Sequence, residues 1–134
     1  MTTLGDPPVD WQALYLWYIG AADLVESLDS CCVIVRAMVD DDAPANLRAV
    51  TSLNVLTLNA EVWLATHPCP EPWNRRWLAD AVTGFVTIGK LFVRSDGRPD
   101  DRGMGYLKEI VEAACDIVRQ INDLRSKLRA TQLT

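Results

Sequence analysis

Apolar residues in the last third of the chain recur with a strict period. Leu107, Ile110, Ala114, Ile117, Ile121, Leu124 and Leu128 alternate spacings of three and four over three heptads. This is the a/d seam of a helix that packs on other helices. Upstream, proline, glycine and aspartate clusters cut the chain into further helical segments. Asp6-Pro7-Pro8 is a start signal, an N-cap acid followed by proline in the first turn, and predicts a helix over 8–39. Asp40-Asp41-Asp42-Ala43-Pro44 ends that helix and starts a second over 44–67. Pro68, Pro70 and Pro72 forbid continuation, and Glu71 or Pro72 opens a third over 72–93. Residues 94–103, rich in Asp, Gly and Arg, read as a loop, and the fourth helix spans 104–130.

The third helix contains the strand-prone run Val82, Thr83, Phe85, Val86, Thr87 and Ile88. Yet Trp77, Leu78, Ala81, Val82, Phe85, Ile88 and Phe92 fit a helical stripe better than an alternation. Gly84 and Gly89 weaken a helix, which predicts the close approach of a neighbouring helix at both. The expected fold is one all-α domain over residues 1–134: a four-helix, mostly antiparallel bundle with a heptad-patterned C-terminal helix. Lys108–Glu112, Arg119–Asp123 and Asp123–Lys127 would be i,i+4 pairs on the solvated side of that last helix.

A bundle helix in a monomer needs one apolar stripe; the first two helices carry two each. In the first, Leu14, Trp17, Leu24, Val25, Leu28, Cys32, Val35 and Val39 form the core stripe, while Tyr15, Leu16, Ile19, Val33 and Ile34 lie on the far side. In the second, Val50, Leu53, Leu56, Ala60, Trp63 and Leu64 make one stripe, and Leu47, Val55, Leu58, Val62 and Ala65 another. Exposed apolar surface of this extent marks interaction sites. The second stripes are therefore the expected partner interface, with a homodimer as the default assembly.

Composition narrows the partners. The chain has 134 residues, 49% of them hydrophobic, and a net charge of −5. A chain of this length needs no metal or disulfide to fold. The acidic balance argues against nucleic acid, whose binding depends on Lys and Arg neutralising phosphates, and against an anionic membrane. The longest uncharged stretches, 11–22 and 49–60, are too short to span a bilayer, and Met1 to Asp10 has no basic segment of a secretory signal. A cytoplasmic location is expected. Ten arginines against three lysines read as the codon bias of a GC-rich genome, bacterial or phage.

Candidate chemistry is sparse. Cys31, Cys32, Cys69 and Cys115 show no paired metal-ligand spacing and read as small hydrophobes; His67 and Cys69 supply only half a zinc site. The single histidine, His67, is expected to cap its helix or pack beside Trp63. Basic residues are local: Arg75 and Arg76 open the third helix, and Arg94, Arg98 and Arg102 lie in the loop, where interleaved aspartates offset their field. Of the tryptophans, Trp11 and Trp73 lie near helix starts, where an amphipathic ring can anchor a partner. Acidic residues cluster on two helices: Asp23, Glu26 and Asp29, then Glu109, Glu112 and Asp116. Facing carboxylates can hold divalent cations. The Glu109–Glu112 spacing resembles the ExxE half of the metal motif of the all-helical nucleotide pyrophosphohydrolases. The ExxD half departs, with one residue too many between Glu112 and Asp116. The expected function is therefore a non-enzymatic protein–protein interaction module, a small oligomeric adaptor, accessory subunit or assembly protein without cofactor. Metal-dependent hydrolysis through the helix carboxylates, or an accessory role in a nucleoprotein complex, are the alternatives.

Overall fold

The computed structural model describes residues 9–40, 47–94 and 100–133, the side chains of Leu47 and of residues 132 and 133 excepted. Among them are five helices, α1 (Trp11–Gly20), α2 (Ala22–Asp40), α3 (Leu47–Thr66), α4 (Pro72–Arg94) and α5 (Asp101–Leu133), and no strand. The predicted start signal at 6–8, the breaker at 41–44 and the centre of the predicted loop, 95–99, lie outside the described residues.

The predicted first helix is two helices. Its N-cap is Asp10, whose side chain accepts from the backbone N–H of Ala13 at 3.0 Å, a common way to satisfy an otherwise orphaned N–H in the first turn. The break falls after Gly20, a poor helix former. The Ala21 N–H bonds back to the Tyr18 carbonyl at 3.2 Å, a tightened last turn, and the Val25 N–H then takes the Ala21 carbonyl at 3.1 Å to restart the ladder. The strand-prone segment of α4 is helical throughout, because its apolar residues fall on one side: Leu78, Ala81, Val82, Phe85, Ile88 and Phe92 are all buried. Helix α5 starts three residues earlier than expected. Asp100 is the reason: its carboxylate accepts from the Gly103 N–H at 2.8 Å, and its carbonyl from the Met104 N–H at 2.8 Å.

The buried residues form one hydrophobic cluster contributed by all five helices and by Ala21 and Cys69 between them. Helix α4 packs on α3 and α5, α2 packs on the same two, and α1 lies against α5 and α2. Two glycines set the spacing of α4 from its neighbours. A Cβ on Gly84 would stand 3.1 Å from the Ala114 Cβ of α5, and one on Gly89 would stand 2.9 Å from Asn54 Oδ1 of α3. The close approach expected at both positions is present.

The seam of α5 is rotated relative to its sequence pattern. Leu107, Ala114, Ile121 and Leu128 are buried, but Ile110, Ile117 and Leu124 are only half-buried. Met104, Val111 and Val118 take their place in the core. These residues also follow a heptad with the shared four, so two overlapping seams were encoded, and packing between α2 and α4 selects the second. The ion pairs of α5 differ from expectation as well. Glu112 pairs with Arg36 of α2 at 3.0 Å, and Arg119 with Asp116. Both pairs are exposed, where such contacts contribute little. Among the described residues no helix is long and apolar enough to cross a membrane.

Candidate functional site

The far-side residues of the first two predicted helices fall into three groups. On α3, Val55, Leu58 and Val62 are 51%, 60% and 58% exposed. Their spacing of three and four residues aligns them on one stripe of the helix. Around them Thr51, Ser52, Asn59 and Ala65 are exposed and uncharged, and the exposed Glu61 borders Val62. On α1, Leu16 and Ile19 are exposed and Tyr15 is half-buried. On α2, Val33 is exposed, while Ile34 packs partly on the core. Trp17 of α1 turns toward α3, where its ring meets Trp63, whereas Ile19 lines a cleft against Asn122, Arg125 and Arg129 of α5.

The end of the molecule where α1 meets the α3–α4 connection is polar inside and aromatic outside. Trp17 donates Nε1–H to the His67 carbonyl at 3.1 Å, and its ring stands edge-on to Tyr18 and Trp63. His67 stacks on Trp63, with ring centroids 4.4 Å apart and planes 12° from parallel. Its Nδ1 lies 2.8 Å from Thr66 Oγ1 and 3.1 Å from the Trp63 carbonyl. The histidine thus finishes α3 by packing, while Cys69 is fully buried nearby and its carbonyl accepts from Arg75 Nε at 2.9 Å.

Glu71 is the buried carboxylate of this region, and it caps α4. Its Oε1 accepts from the Trp73 N–H at 3.0 Å, and its Oε2 accepts from both the backbone N–H and the side-chain amide of Asn74 at 2.6 Å. Burial opposes its charge, but the donors from Asn74 and Trp73, with Arg75 nearby, outweigh it and hold the carboxyl below its ordinary range. Asn74 in turn accepts the hydroxyl of Tyr18. Alongside lies a cleft of about 430 Å³ between the first turn of α1, the start of α4 and the second half of α5. Three of the five tryptophans, Trp11, Trp73 and Trp77, line it. Trp11 and Trp73 were singled out by their place at helix starts; that they share one cleft with Trp77 depends on the docking of α1.

A second cluster joins α2 to α5. Cys32 of α2 and Cys115 of α5 lie close enough to shift each other's ionisation, with Arg36 beside them. Interaction with Cys32, helped by the Arg36 guanidinium against the effect of burial, holds Cys115 below the ordinary thiol range and Cys32 above it. Burial pushes the neighbouring Cys31 up to about 12. All four cysteines are free.

The two acidic groups engage other partners. Asp29 accepts from Asn122 at 2.8 Å, Glu112 from Arg36 at 3.0 Å, and Asp116 from Arg119 and Gln120. Among the described residues no group of three or more His, Cys, Asp or Glu is arranged to hold a metal ion. Comparison with known proteins gives no match: no family model, no curated protein and no solved structure resembles this chain closely enough to align with it.

Proposed function

We propose that this protein is a non-enzymatic interaction module that pairs with a second copy of itself through the outer face of α3. The observation that carries this reading is the aliphatic stripe Val55, Leu58 and Val62, more than half exposed, with the charged residues Arg48 and Glu61 only at its borders. Water-exposed methyl groups in such a row gain by being covered. The chain as a whole carries −5, so two copies repel over most of their surfaces, and a neutral face is where they can approach without that cost. Leu16, Ile19, Tyr15, Val33 and Ile34 carry further apolar surface on α1 and α2, and the side chain of Leu47 lies outside the described residues.

The scaffold behind this face is read as an antiparallel bundle of α2 to α5 with α1 across one end. Support comes from cross-helix pairs that run in opposite senses. Asp29 meets Asn122 while Arg36, two turns later on α2, meets Glu112, earlier on α5.

Magnitudes set the expected strength. Burying a Val or Leu fully stabilises by about 1.5–3 kcal/mol, and half that for a side chain already half-covered. Six such side chains in a symmetric pair gain roughly 6 kcal/mol, against an association cost of about 4–15 kcal/mol. The stripe alone therefore leaves at most about 2 kcal/mol, a Kd of tens of millimolar, and the proposal requires the flanking Thr51, Ser52 and Asn59 to add hydrogen bonds that bring the pair to about 1 mM or tighter. Sedimentation equilibrium over roughly 10 µM to 1 mM is the test. A monomer–dimer equilibrium abolished by Leu58→Glu, with α1 variants such as Leu16→Glu having less effect, is expected. A monomer throughout that range would overturn the proposal, as would a dimer indifferent to Leu58→Glu.

A further inference from the structure

We propose that the tryptophan cleft is a binding site for a small organic cation of the quaternary ammonium class. The inference is independent of pairing through α3.

The walls carry the chemistry. Trp73 and Trp77 lie one turn apart on α4, so their rings share a side of that helix, and Trp11 comes from the first turn of α1. Trp11 is 53% and Trp73 66% exposed; these are large apolar rings left in water on either side of a concave space. Indole faces are the strongest aromatic partners of a cation, and the attraction grows as the site sheds water. Two carboxylates, Glu71 and Asp123, line the same cleft, against one cation, Lys127. An anion is disfavoured by that balance.

Hydrogen bonding narrows the class. Glu71 already accepts from the Trp73 N–H and twice from Asn74. Its charge is available to the cleft, but most of its accepting capacity is taken. A primary ammonium or a guanidinium entering against Glu71 would find few open acceptor sites there and would have to rely on Asp123 and water for its N–H donors. A quaternary ammonium has no N–H to satisfy. It asks for a concave aromatic wall and negative potential, and these are what the cleft offers. Lys127 opposes it, on a long flexible stem that can swing toward water.

Isothermal titration calorimetry of the full chain with choline chloride tests this, with 3,3-dimethyl-1-butanol as the neutral isostere. Saturable one-to-one binding of choline is expected, with the alcohol binding about tenfold more weakly or worse. Trp73→Ala and Asp123→Asn, both at exposed positions that leave the core untouched, each weaken choline by roughly tenfold, and Lys127→Met tightens it. No saturable binding, equal affinity for the alcohol, or binding unchanged in either Trp73→Ala or Asp123→Asn would overturn the proposal.

Discussion

Tyr18 of α1 donates its hydroxyl to Asn74 of α4, and both side chains are buried. Burial, with Cys69 and Glu71 close by, holds the phenol protonated well above the ordinary tyrosine range, so it remains a donor at any working pH. Asn74 passes the polarity on to Glu71. The three residues form a chain that ties α1 to the start of α4 and so positions Trp11 opposite Trp73. Tyr18→Phe removes one donor and leaves Asn74 Oδ1 buried without a partner. A loss of about 1–3 kcal/mol is expected, read as a lowered urea midpoint with an unchanged slope.

Glu71 makes the same region sensitive to acid. Its folded-state carboxyl is held below its ordinary value. It therefore adds stability that is fully present above that ordinary value and is lost as pH falls through the lower, folded one. Melting temperatures of the parent and Glu71→Gln should converge as pH falls from neutrality through and below the ordinary glutamate range, because glutamine has no charge to lose. Parallel curves would show that other carboxylates dominate acid unfolding.

The two glycines of α4 should respond oppositely to alanine. Each substitution gains about 1 kcal/mol of helix propensity. At Gly84 the new methyl meets Ala114 Cβ at 3.1 Å, an atom fixed to the α5 backbone, and overpacking of this kind costs about 1–3 kcal/mol. At Gly89 it meets Asn54 Oδ1 at 2.9 Å, the end of an exposed side chain that can turn away. Thermal melts should find Gly84→Ala neutral to destabilised by up to about 2 kcal/mol, and Gly89→Ala neutral to stabilised by up to about 1 kcal/mol.

Arg36 should tune the pair formed by buried Cys115 and half-buried Cys32. Cys115 is held below the ordinary range by Cys32 and by the Arg36 guanidinium. Replacing Arg36 by Met, or Cys32 by Ala, should raise the pH at which Cys115 ionises. Thiolate absorbance near 240 nm, taken as the difference between each protein and its Cys115→Ala counterpart, reads this out directly. An unchanged midpoint in both variants would remove Arg36 and Cys32 as causes.

The helix content was legible from periodicity and breakers, since apolar spacing and proline act locally. The stripe of α4 and the Pro72 start are cases in which nearby residues suffice. The exposed far-side residues of α3 were legible for the same reason: a helix wheel separates faces without knowing what lies beyond them. The predicted first helix, in contrast, runs straight through Gly20, a single glycine inside a long apolar run. That α1 ends there depends on α1 docking on α5, with Trp17 reaching the His67 carbonyl. The cap at Asp100 was readable in principle, as an Asp three residues before Gly103, but charge in the loop obscured it.

By itself, the sequence determined that this chain is helical, where its α3–α4 connection must fall, and which residues of α3 form its charge-free outer stripe, because backbone propensity and 3.6-residue periodicity are properties of neighbours in the chain. Only the tertiary structure decided which of two overlapping heptads on α5 became the core, that Cys32 meets Cys115, and that Trp11 joins Trp73 and Trp77 around one cleft. Those outcomes depend on how helices rotate and dock against one another, and that is settled by the joint packing of side chains far apart in the chain.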